Sequence, residues 1–393
     1  MKYDVLVVGC GLSGAVCARQ LAGLGKKVCI LERRGHIGGN MYDYIQKDGI
    51  LVHQYGPHTF HTDRSDLYEY VCRYSGWKKF RLTCGAVIHG KYTPVPFNSE
   101  TIGIFYEAAR ADGIKQALEQ AYPGRKTVGI LELLRHPDRQ IREYAQFLYE
   151  NDYRPYTAKQ WGIPPQEIDP SVLKRVPVRL DSRTGYFDDR YQVMPEKSYT
   201  AFFESLLNSP GIDVRLHTDA RDLISLDSGC GQILFDGSVY EGCVIYTGPL
   251  DELFQMRYGA LPYRSLRFEW VTRQVKSCQA APVVAYPQAE GYTRITEYTK
   301  LPVQDAGNRT VYAIEYPVPY QEGTHNEPYY PVLTAESKEQ YQKYRKLADG
   351  YDNLYLCGRL ADFQYYNMDQ ALEKALATAE KIRMRENAAE GKQ

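Results

Sequence analysis

The sequence predicts an α/β protein in which a parallel β-sheet is combined with a helical insertion and an antiparallel sheet region. Three observations lead to this fold class. Residues 3–32 read as strand, turn, helix and strand, residues 100–150 show helix-type spacing of apolar side chains, and residues 263–320 are rich in tyrosine and β-branched residues. A chain of 393 residues is long enough for two to three domains.

The first predicted element is a βαβ unit. Residues 4–8 form a short apolar run that ends at Gly9, and residues 15–24 have helical spacing that stops at Gly25. Residues 28–32 then form a second apolar strand. Two strands joined through one helix within about thirty residues make a right-handed crossover, which sets them in parallel in one sheet.

The helical insertion is predicted from four segments with helix-type spacing: 104–110, 114–122, 128–135 and 139–151. From about residue 177 the chain becomes extended and aromatic, and the run 311–316 is typical of an antiparallel sheet region. Residues 242–249 and 353–359 return to the pattern of buried strands. We expect both to join the first sheet, with a final helix from Asp369.

The composition excludes several classes of protein. Lysine and arginine number 48 against 48 acidic residues, so the net charge is zero and we expect no nucleic-acid partner. No apolar run approaches the roughly 18 residues that span a bilayer, and the first residues lack a signal-peptide pattern, so we expect no membrane partner and a cytoplasmic location. The 35 tyrosines suit a cleft for a polar ligand such as a sugar or nucleotide.

A dinucleotide-binding motif lies between the first strand and the first helix. Gly9, Gly11 and Gly14 form the Gly-x-Gly-x-x-Gly pattern, and Glu32 ends the second strand. The glycines permit a tight turn and the close approach of a pyrophosphate to the helix N-terminus, while the acid accepts a hydrogen bond from a ribose hydroxyl. The sequence therefore predicts a Rossmann-like fold for this part of the chain.

The identity of the dinucleotide is predicted from the residues that follow Glu32. Arg33 and the arginine that follows it could instead bind a 2′-phosphate, which would indicate NADP. The pair Gly38 and Gly39 favours FAD, since it lets the backbone close over a bulky ligand and resembles the pattern of FAD-binding oxidases and mutases. A helix that begins near Met368 could stabilise negative charge on a reduced flavin ring. No second glycine motif of this kind occurs, so we expect no separate NAD(P)H domain.

These patterns together predict three domains. We expect a discontinuous FAD-binding domain of residues 1–80, 198–250 and 340–386, and a helical domain of residues 98–152. The remaining segments, 81–97, 153–197 and 251–339, are expected to form the antiparallel sheet domain that binds substrate.

Three histidines, His53, His58 and His61, lie close together in the sequence. A metal site is one interpretation, but no further ligand accompanies them, so contacts with a flavin or substrate are the simpler one. Histidines that are merely hydrogen-bonded in a core are the third. Elsewhere, Arg294 and the segments 156–162, 173–179, 327–331 and 363–367 supply cations and phenols, each ambiguous when taken alone.

Taken in order, these motifs closely resemble the bacterial UDP-galactopyranose mutase family, from about residue 3 to residue 378. The resemblance covers the glycine motif and the segments 37–40, 55–62, 156–162, 175–179, 186–192, 245–249, 263–266, 292–295, 327–331 and 358–361. It implies an isomerase that interconverts UDP-galactopyranose and UDP-galactofuranose, which supplies galactofuranose for cell-surface glycans. It also implies FAD that is active when reduced, an electron donor that is NAD(P)H or a reductase, and a homodimer.

The mechanism that the resemblance implies involves no net oxidation or reduction. Flavin N5 attacks the anomeric carbon of the sugar and displaces UDP, the sugar ring opens and recloses through a different hydroxyl, and UDP returns. This agrees with the sequence, in which we find no Ser-His-Asp set and no Cys-x-x-Cys pair. The protein then supplies position and electrostatics.

The resemblance also implies roles for individual residues, with no metal site. Catalytic roles fall to Arg175, Arg294 and His58. Cofactor-binding roles fall to Gly9, Gly11, Leu12, Ser13, Gly14, Glu32, Arg33, Gly39, Asn40, His58, His61, Arg359, Met368 and Asp369. Substrate-binding roles fall to Tyr156, Thr157, Trp161, Arg175, Tyr186, Arg294, Tyr329, Tyr330 and Tyr365. In this scheme Tyr156 stacks on uracil, and Arg175, on a mobile loop, and Arg294 clamp the diphosphate.

The chain departs locally from the family pattern. Cys10 and Leu12 vary within the glycine turn, Pro57 and Thr59 vary around the histidines, and residues 151–155 precede Tyr156 where a more glycine-like approach is expected. These departures concern fine specificity, because one or two pocket side chains can discriminate between N-acetylated or deoxygenated nucleotide sugars. A flavin amine-oxidase-like oxidoreductase and a non-catalytic binding protein are the other hypotheses.

Overall fold

The computed structural model describes residues 3–162, 176–227, 229–323 and 326–390. The strands are β1 (Val5–Val8), β2 (Val28–Leu31), β3 (Asp43–Ile45), β4 (Leu51–His53), β5 (Phe60–Thr62), β6 (Trp77–Lys79), β7 (Cys84–Ile88), β8 (Lys91–Val95), β9 (Thr127–Val128), β10 (Val178–Arg179), β11 (Tyr191–Pro195), β12 (Ile212–Arg215), β13 (Ile224–Asp227), β14 (Gln232–Phe235), β15 (Ser238–Val239), β16 (Cys243–Tyr246), β17 (Tyr263–Arg273), β18 (Val283–Ala285), β19 (Arg294–Glu297), β20 (Thr310–Pro319), β21 (Tyr330–Pro331) and β22 (Leu354–Leu356).

The helices are α1 (Leu12–Gly23), α2 (Ser65–Cys72), α3 (Ser99–Phe105), α4 (Ala108–Ala121), α5 (Ile130–Leu133), α6 (Arg139–Leu148), α7 (Arg154–Trp161), α8 (Tyr199–Leu207), α9 (Leu250–Leu253), α10 (Ala335–Ala348) and α11 (Met368–Glu390). Short 3₁₀ turns occur at Gly39–Met41 and Ala220–Asp222, and a π turn at Tyr149–Tyr153 joins α6 to α7. None of the described helices is both long and apolar enough to cross a bilayer.

A five-stranded parallel sheet forms the first part of the fold, in the order β12-β2-β1-β16-β22. Val5 in β1 is paired with Val28 on one side and Cys243 on the other. Helices α1, α8 and α11 cover one face of the sheet with apolar side chains. The predicted α/β class, the βαβ unit and the two strands that rejoin the sheet are therefore confirmed. The edge strand β12 was not predicted, although its four residues alternate between apolar and polar as in a half-buried strand.

The helical region contains α3 to α6, with boundaries that differ from those predicted. A helix over 104–110 is wrong, because α3 ends at Phe105 and Tyr106 has extended backbone angles before α4 begins. The segment 128–135 is also not helical from its start, since Val128 pairs with Val178 in an antiparallel ladder. In both places tertiary pairing and packing override the local periodicity of apolar residues.

The connection between α6 and α7 widens into the π turn. Here the backbone N–H of Arg154 donates to the carbonyl of Tyr149, five residues earlier. Pro155 follows and has no N–H, so it could not continue a regular α-helical ladder at this point. The turn changes the direction in which the next side chains point, and it buries Asp152 and Tyr153.

A seven-stranded sheet forms the other large layer, in the order β21-β17-β20-β19-β18-β7-β8. Most neighbours are antiparallel, but β7 and β18 run parallel. The predicted antiparallel sheet region is therefore confirmed, and it belongs to a larger sheet that also contains this one parallel pair. Nearly two hundred residues separate the two strands, so their pairing depends on long-range packing that no local pattern reports.

Candidate active site

Two adjoining cavities contain most of the predicted site residues. The glycine cavity lies against the Gly9–Gly14 turn, and the arginine cavity is lined by Arg264, Arg294 and Arg359. His58, Arg359, Asn367 and Met368 belong to the walls of both. Ligands in the two cavities would therefore meet at these four residues.

The glycine cavity lies where the parallel strands end. Gly9 follows β1, Glu32 follows β2, Thr247 follows β16 and Gly358 follows β22 by two residues, and all four line the cavity. The carboxyl ends of parallel strands form the binding crevice of open α/β sheets. The sheet topology therefore explains why residues so distant in sequence meet here.

Three glycines in and beside the turn leave no room for a side chain. A Cβ on Gly14 would lie 2.1 Å from the carbonyl oxygen of Gly9, and one on Gly39 would lie 2.8 Å from Cα of Gly11. Gly9 itself has a φ of +97°, which favours glycine, and a Cβ there would lie 2.2 Å from Oγ1 of Thr247. The backbone is therefore packed closely enough for a ligand to approach it directly.

Helix α1 directs its N-terminus at this cavity. Its N-cap residue is Gly11, which supplies no side-chain acceptor for the first N–H groups of the helix. Leu12, Ser13 and Gly14, which make up its first turn, line the cavity. Free N–H groups and the helix dipole favour an anion such as a pyrophosphate.

Glu32 forms the far wall of the glycine cavity. Its buried carboxylate accepts the backbone N–H of Cys10 at 2.7 Å and that of Arg34 at 2.9 Å. A carboxylate offers about four acceptor sites, so these two bonds leave room for a ribose hydroxyl. The backbone bonds hold Glu32 in a fixed position for that contact.

Arg33 and Arg34 are already engaged with carboxylates. Nη2 of Arg33 lies 2.8 Å and Nη2 of Arg34 lies 2.9 Å from the same oxygen of Glu327. Although burial opposes ionisation, Arg34 and Arg33 hold the pKa of Glu327 below its usual value. This pairing disfavours the alternative in which the two arginines receive a 2′-phosphate.

Most of the predicted cofactor-binding residues line the glycine cavity. They are Gly9, Gly11, Leu12, Ser13, Gly14, Glu32, Arg33, Gly39, Asn40, His58, Arg359 and Met368. His61 lies instead in the wall of the arginine cavity, and Asp369, the second residue of α11, is not in the described wall of either. Thr218, Asp219, Arg221 and Thr247 also line the glycine cavity and were not predicted.

The histidine environments differ. Nδ1 of His58 lies 2.8 Å from the carbonyl oxygen of Gly56, so Nδ1 carries the proton and Nε2 is an acceptor. Burial, together with Arg359 and Arg294, lowers the pKa of His58 to about 4. His58 is therefore neutral at physiological pH, at the junction of the two cavities.

The other two histidines have different contacts from those of His58. Nδ1 of His53 accepts the backbone N–H of His58, and burial lowers the pKa of His53 to about 3. His61 stacks on Phe187 and bonds to Asp189. Within the described ranges, no group of three His, Cys, Asp or Glu residues could hold a metal ion.

The arginine cavity is strongly cationic. Nε and Nη2 of Arg294 lie 2.9 and 2.8 Å from Oε2 of Glu315, which holds the pKa of Arg294 well above its usual value against the opposing effect of burial. Nη1 of Arg264 donates to the carbonyl of Gln160 at 2.9 Å. Arg359 lies 4.2 Å from the ring centre of Tyr330. Three guanidiniums around one cavity favour an anionic ligand with several oxygens.

Several tyrosines also line this cavity. Tyr330 and Tyr365 stack with ring centres 5.0 Å apart, and Tyr156 and Tyr186 also line the cavity, as does Thr157. Burial raises the pKa of Tyr156 to about 12, so its hydroxyl remains a donor at neutral pH. Tyr329 lies in the wall of the glycine cavity, because neighbouring residues of an extended chain face opposite sides.

Two predicted substrate residues cannot be placed. Arg175 lies outside the described residues. Trp161 is the last residue of α7, and its side chain also falls outside the description. Their roles remain those that the family resemblance implies.

Sequence reasoning missed several residues of the arginine cavity, above all Arg264 and Asp152. Each carried a signal. Arg264 is a charged residue within the otherwise uncharged run 263–266 of a predicted strand. Asp152 lies four residues after the buried Leu148 and four before Tyr156, so a helix would place the three on one face. A charged residue at a core position of an element indicates a site or a buried ion pair.

Comparisons with known proteins agree with this geometry. Residues 151–365 match the family model described as UDP-galactopyranose mutase, and residues 7–74 match that of an NAD(P)-binding Rossmann-like domain. The chain is 35% identical to a UDP-galactopyranose mutase of Mycoplasma pneumoniae, over 97% of this chain and 96% of the relative. It is 32% identical to a dTDP-fucopyranose mutase of Escherichia coli, over 96% and 97% of the two chains.

The fold is also similar to a solved structure. The crystal structure of a reduced UDP-galactopyranose mutase superimposes with a TM-score of 0.72, over 97% of this chain and 94% of that one, at 15% identity. At this identity the similarity concerns the fold alone.

Proposed function

The chain belongs to the UDP-galactopyranose mutase family, a family of isomerases, and we propose from this premise that it interconverts UDP-galactopyranose and UDP-galactofuranose. The observation that carries the proposal is the junction of the two cavities. A site for a dinucleotide and a cationic site for a nucleotide sugar share a wall at His58, Arg359, Asn367 and Met368. A mutase of this kind needs its cofactor and its substrate in contact.

The residues of the glycine cavity fit FAD. The cradle that a Cβ would fill, the uncapped N-terminus of α1 and the buried Glu32 suit a pyrophosphate and a ribose. Gly11, Ser13 and Gly14 would hold the pyrophosphate, and Glu32 the ribose. His58 and Met368, at the shared wall, would lie beside the flavin ring.

Reduced FAD, when bound, would supply a nucleophile, its N5, toward the anomeric carbon of the sugar, with no net redox change. The side chains of the arginine cavity support this assignment. Burial raises the pKa of Cys84 in this wall to about 12, so its thiol stays protonated and is a poor nucleophile. His58 is neutral and held by Gly56, which suits a positioning contact at the junction.

The guanidiniums act on the diphosphate. Cleavage of the bond between sugar and UDP develops negative charge on the diphosphate, which Arg294 and Arg264 would stabilise. Glu315 engages only two of the five N–H groups of Arg294 and leaves others for phosphate oxygens. The same charges retain UDP for its return. By family resemblance, Arg175 would complete this clamp and Tyr156 would stack on the uracil.

A second nucleotide sugar remains an alternative substrate. The relative named a dTDP-fucopyranose mutase is nearly as similar to this chain as the UDP-galactopyranose mutase is. The flavin amine-oxidase-like alternative is disfavoured, because the family model matches the residues around the arginine cavity. A homodimer, a cytoplasmic location, the supply of galactofuranose to surface glycans, and reduction by NAD(P)H or a reductase are proposed on the resemblance alone.

The test uses the FAD-loaded protein with UDP-galactofuranose, with and without dithionite, and separates the nucleotide sugars by chromatography. We expect UDP-galactopyranose only after reduction. Arg294→Ala should lower turnover by roughly 100-fold while FAD remains bound. Arg309→Ala, which removes an exposed guanidinium near Asp48, is the matched control and should leave turnover unchanged. Net oxidation of the sugar with release of peroxide would contradict the proposal.

A further inference from the structure

Asp152 is a buried acid that the proposed chemistry does not use. It lies in the π turn between α6 and α7, is 9% exposed, and lines the arginine cavity. Its carboxyl forms no hydrogen bond with any residue that the structure describes. A buried carboxyl without a partner destabilises the fold, so its presence in a cavity wall points to a ligand.

Lys159, whose charge favours the ionised form of Asp152, forms its hydrogen bonds elsewhere. The ammonium of Lys159 donates to the carbonyls of Tyr286, Ala289 and Tyr292, at 2.7, 2.6 and 2.8 Å. An ammonium has three N–H donors, and these three bonds use them all. Burial raises the pKa of Asp152 to about 7, and the charge of Lys159 opposes this rise.

Asp152 lines the arginine cavity but is not among the residues of the wall that this cavity shares with the glycine cavity. Tyr156 interacts electrostatically with Arg294 and Arg264 and also with Asp152, which precedes it by one turn. The cavity wall therefore carries both arginines and an acid. A sugar that meets the cofactor lies at the shared wall, so the nucleoside is the part of the substrate that is left to face Asp152. A diphosphate is attracted to the arginines and repelled by a carboxylate, so the part of the substrate that faces Asp152 is an uncharged hydrogen-bond donor.

We propose that Asp152 accepts a hydrogen bond from the nucleoside of the substrate, through the imide N–H of the base or a ribose hydroxyl, and thereby selects nucleotide sugars by their nucleoside. The inference rests on the proposed function, because it takes the arginine cavity to hold a nucleoside diphosphate sugar. The imide N–H and the ribose hydroxyls are the uncharged donors of a uridine.

The test measures the binding of UDP, N3-methyl-UDP, 2′-deoxy-UDP and 3′-deoxy-UDP to the FAD-loaded protein by calorimetry. Each analogue lacks one donor. In the wild type, the analogue without the donor that meets Asp152 should bind roughly 10- to 100-fold more weakly than UDP, as for a hydrogen bond to a charged group. In Asp152→Leu, that ratio should fall to about 2-fold. The analogue whose penalty disappears identifies the donor.

Control variants separate this effect from a general loss of structure. Glu150→Leu removes an exposed acid of the same turn, which pairs with Arg154, and should retain the wild-type ratios. Asp152→Asn keeps an acceptor oxygen but loses the charge, so it should retain a smaller penalty of roughly 2- to 10-fold for the same analogue. If leucine prevents FAD loading, Asp152→Ala provides the same comparison.

The outcomes also separate this inference from the proposed function. A wild type that converts UDP-galactofuranose, but shows the same analogue penalties as Asp152→Leu, overturns the inference and leaves the mutase activity intact. A wild type that neither binds UDP nor converts the sugar overturns both. Analogue penalties that disappear only in the Asp152 variants support the inference.

Discussion

Arg294 lies directly opposite Glu315 in the antiparallel ladder of β19 and β20, and its Nη2 is 2.8 Å from Oε2 of Glu315. The other oxygen, Oε1, is buried without a hydrogen-bond partner among the described residues. Glu315 itself is 1% exposed. The carboxylate therefore fixes the orientation of Arg294 toward the arginine cavity without lying in the cavity wall.

Glu315→Gln should weaken this positioning. The amide keeps the size of the side chain but replaces a charge-assisted bond with a weaker one, so Arg294 loses its fixed orientation. We expect kcat to fall roughly 10-fold, because misplacement of a contacting group is costly in catalysis. The Kd for UDP should change less than about 3-fold, since the guanidinium charge remains. Glu269→Gln, at an exposed carboxylate bonded to Tyr316, is the control for both measurements.

Gly14→Ala should abolish FAD loading. The added Cβ would lie 2.1 Å from the carbonyl oxygen of Gly9, and neither backbone segment can move without opening the turn. Gly23→Ala, in the same helix, is the matched control, because a Cβ there meets nothing within 4 Å. The ratio of flavin to protein absorbance measures both. Equal loading of the two variants would contradict the assignment of the glycine turn to the cofactor.

His58→Gln should reduce the loss of stability at acid pH. The folded pKa of His58 is about 4, below the usual value of 6.5, so the unfolded chain binds more protons between pH 6.5 and 4. The wild type therefore loses about 3 kcal/mol through this residue as the pH falls to 4. Urea denaturation of the wild type and the variant at several pH values gives the difference. Parallel curves would show that folding does not lower the pKa of His58.

Asp152→Asn should stabilise the ligand-free protein at pH 8. The folded pKa of Asp152 is about 7, above its usual value of 3.8, so the folded state binds more protons between pH 4 and 7. Ionisation therefore destabilises the wild type as the pH rises through this window, by about 4 kcal/mol at most. The variant should be more stable than the wild type at pH 8, and the two should converge toward pH 4. A difference that does not vary with pH would contradict the raised pKa.

Local patterns predicted much of the fold. The βαβ unit and the strands that rejoin it were predicted because each is a short apolar run with clear turn residues. The edge strand β12 and the parallel pairing of β7 with β18 were not, because both depend on contacts between distant segments. The division into three domains stays a prediction.

The candidate site was predicted in the same uneven way. The glycine turn and Glu32 belong to one βαβ unit, so their spacing in the sequence was enough to predict that they lie close together. Arg264 and Asp152 meet only when the mixed sheet and the π turn come together, and no spacing reports that meeting. Family resemblance supplied the roles of Arg294 and Tyr330, and those roles stay predictions until variants are measured.

The wall shared by the two cavities has a thermodynamic consequence. His58, Arg359, Asn367 and Met368 face both occupants, so the free energy of binding one depends on the presence of the other. Linkage is reciprocal: the factor by which a bound cofactor would raise the affinity for the nucleotide sugar equals the factor by which the nucleotide sugar would raise the affinity for the cofactor. Retention of the cofactor is thereby tied to the supply of substrate.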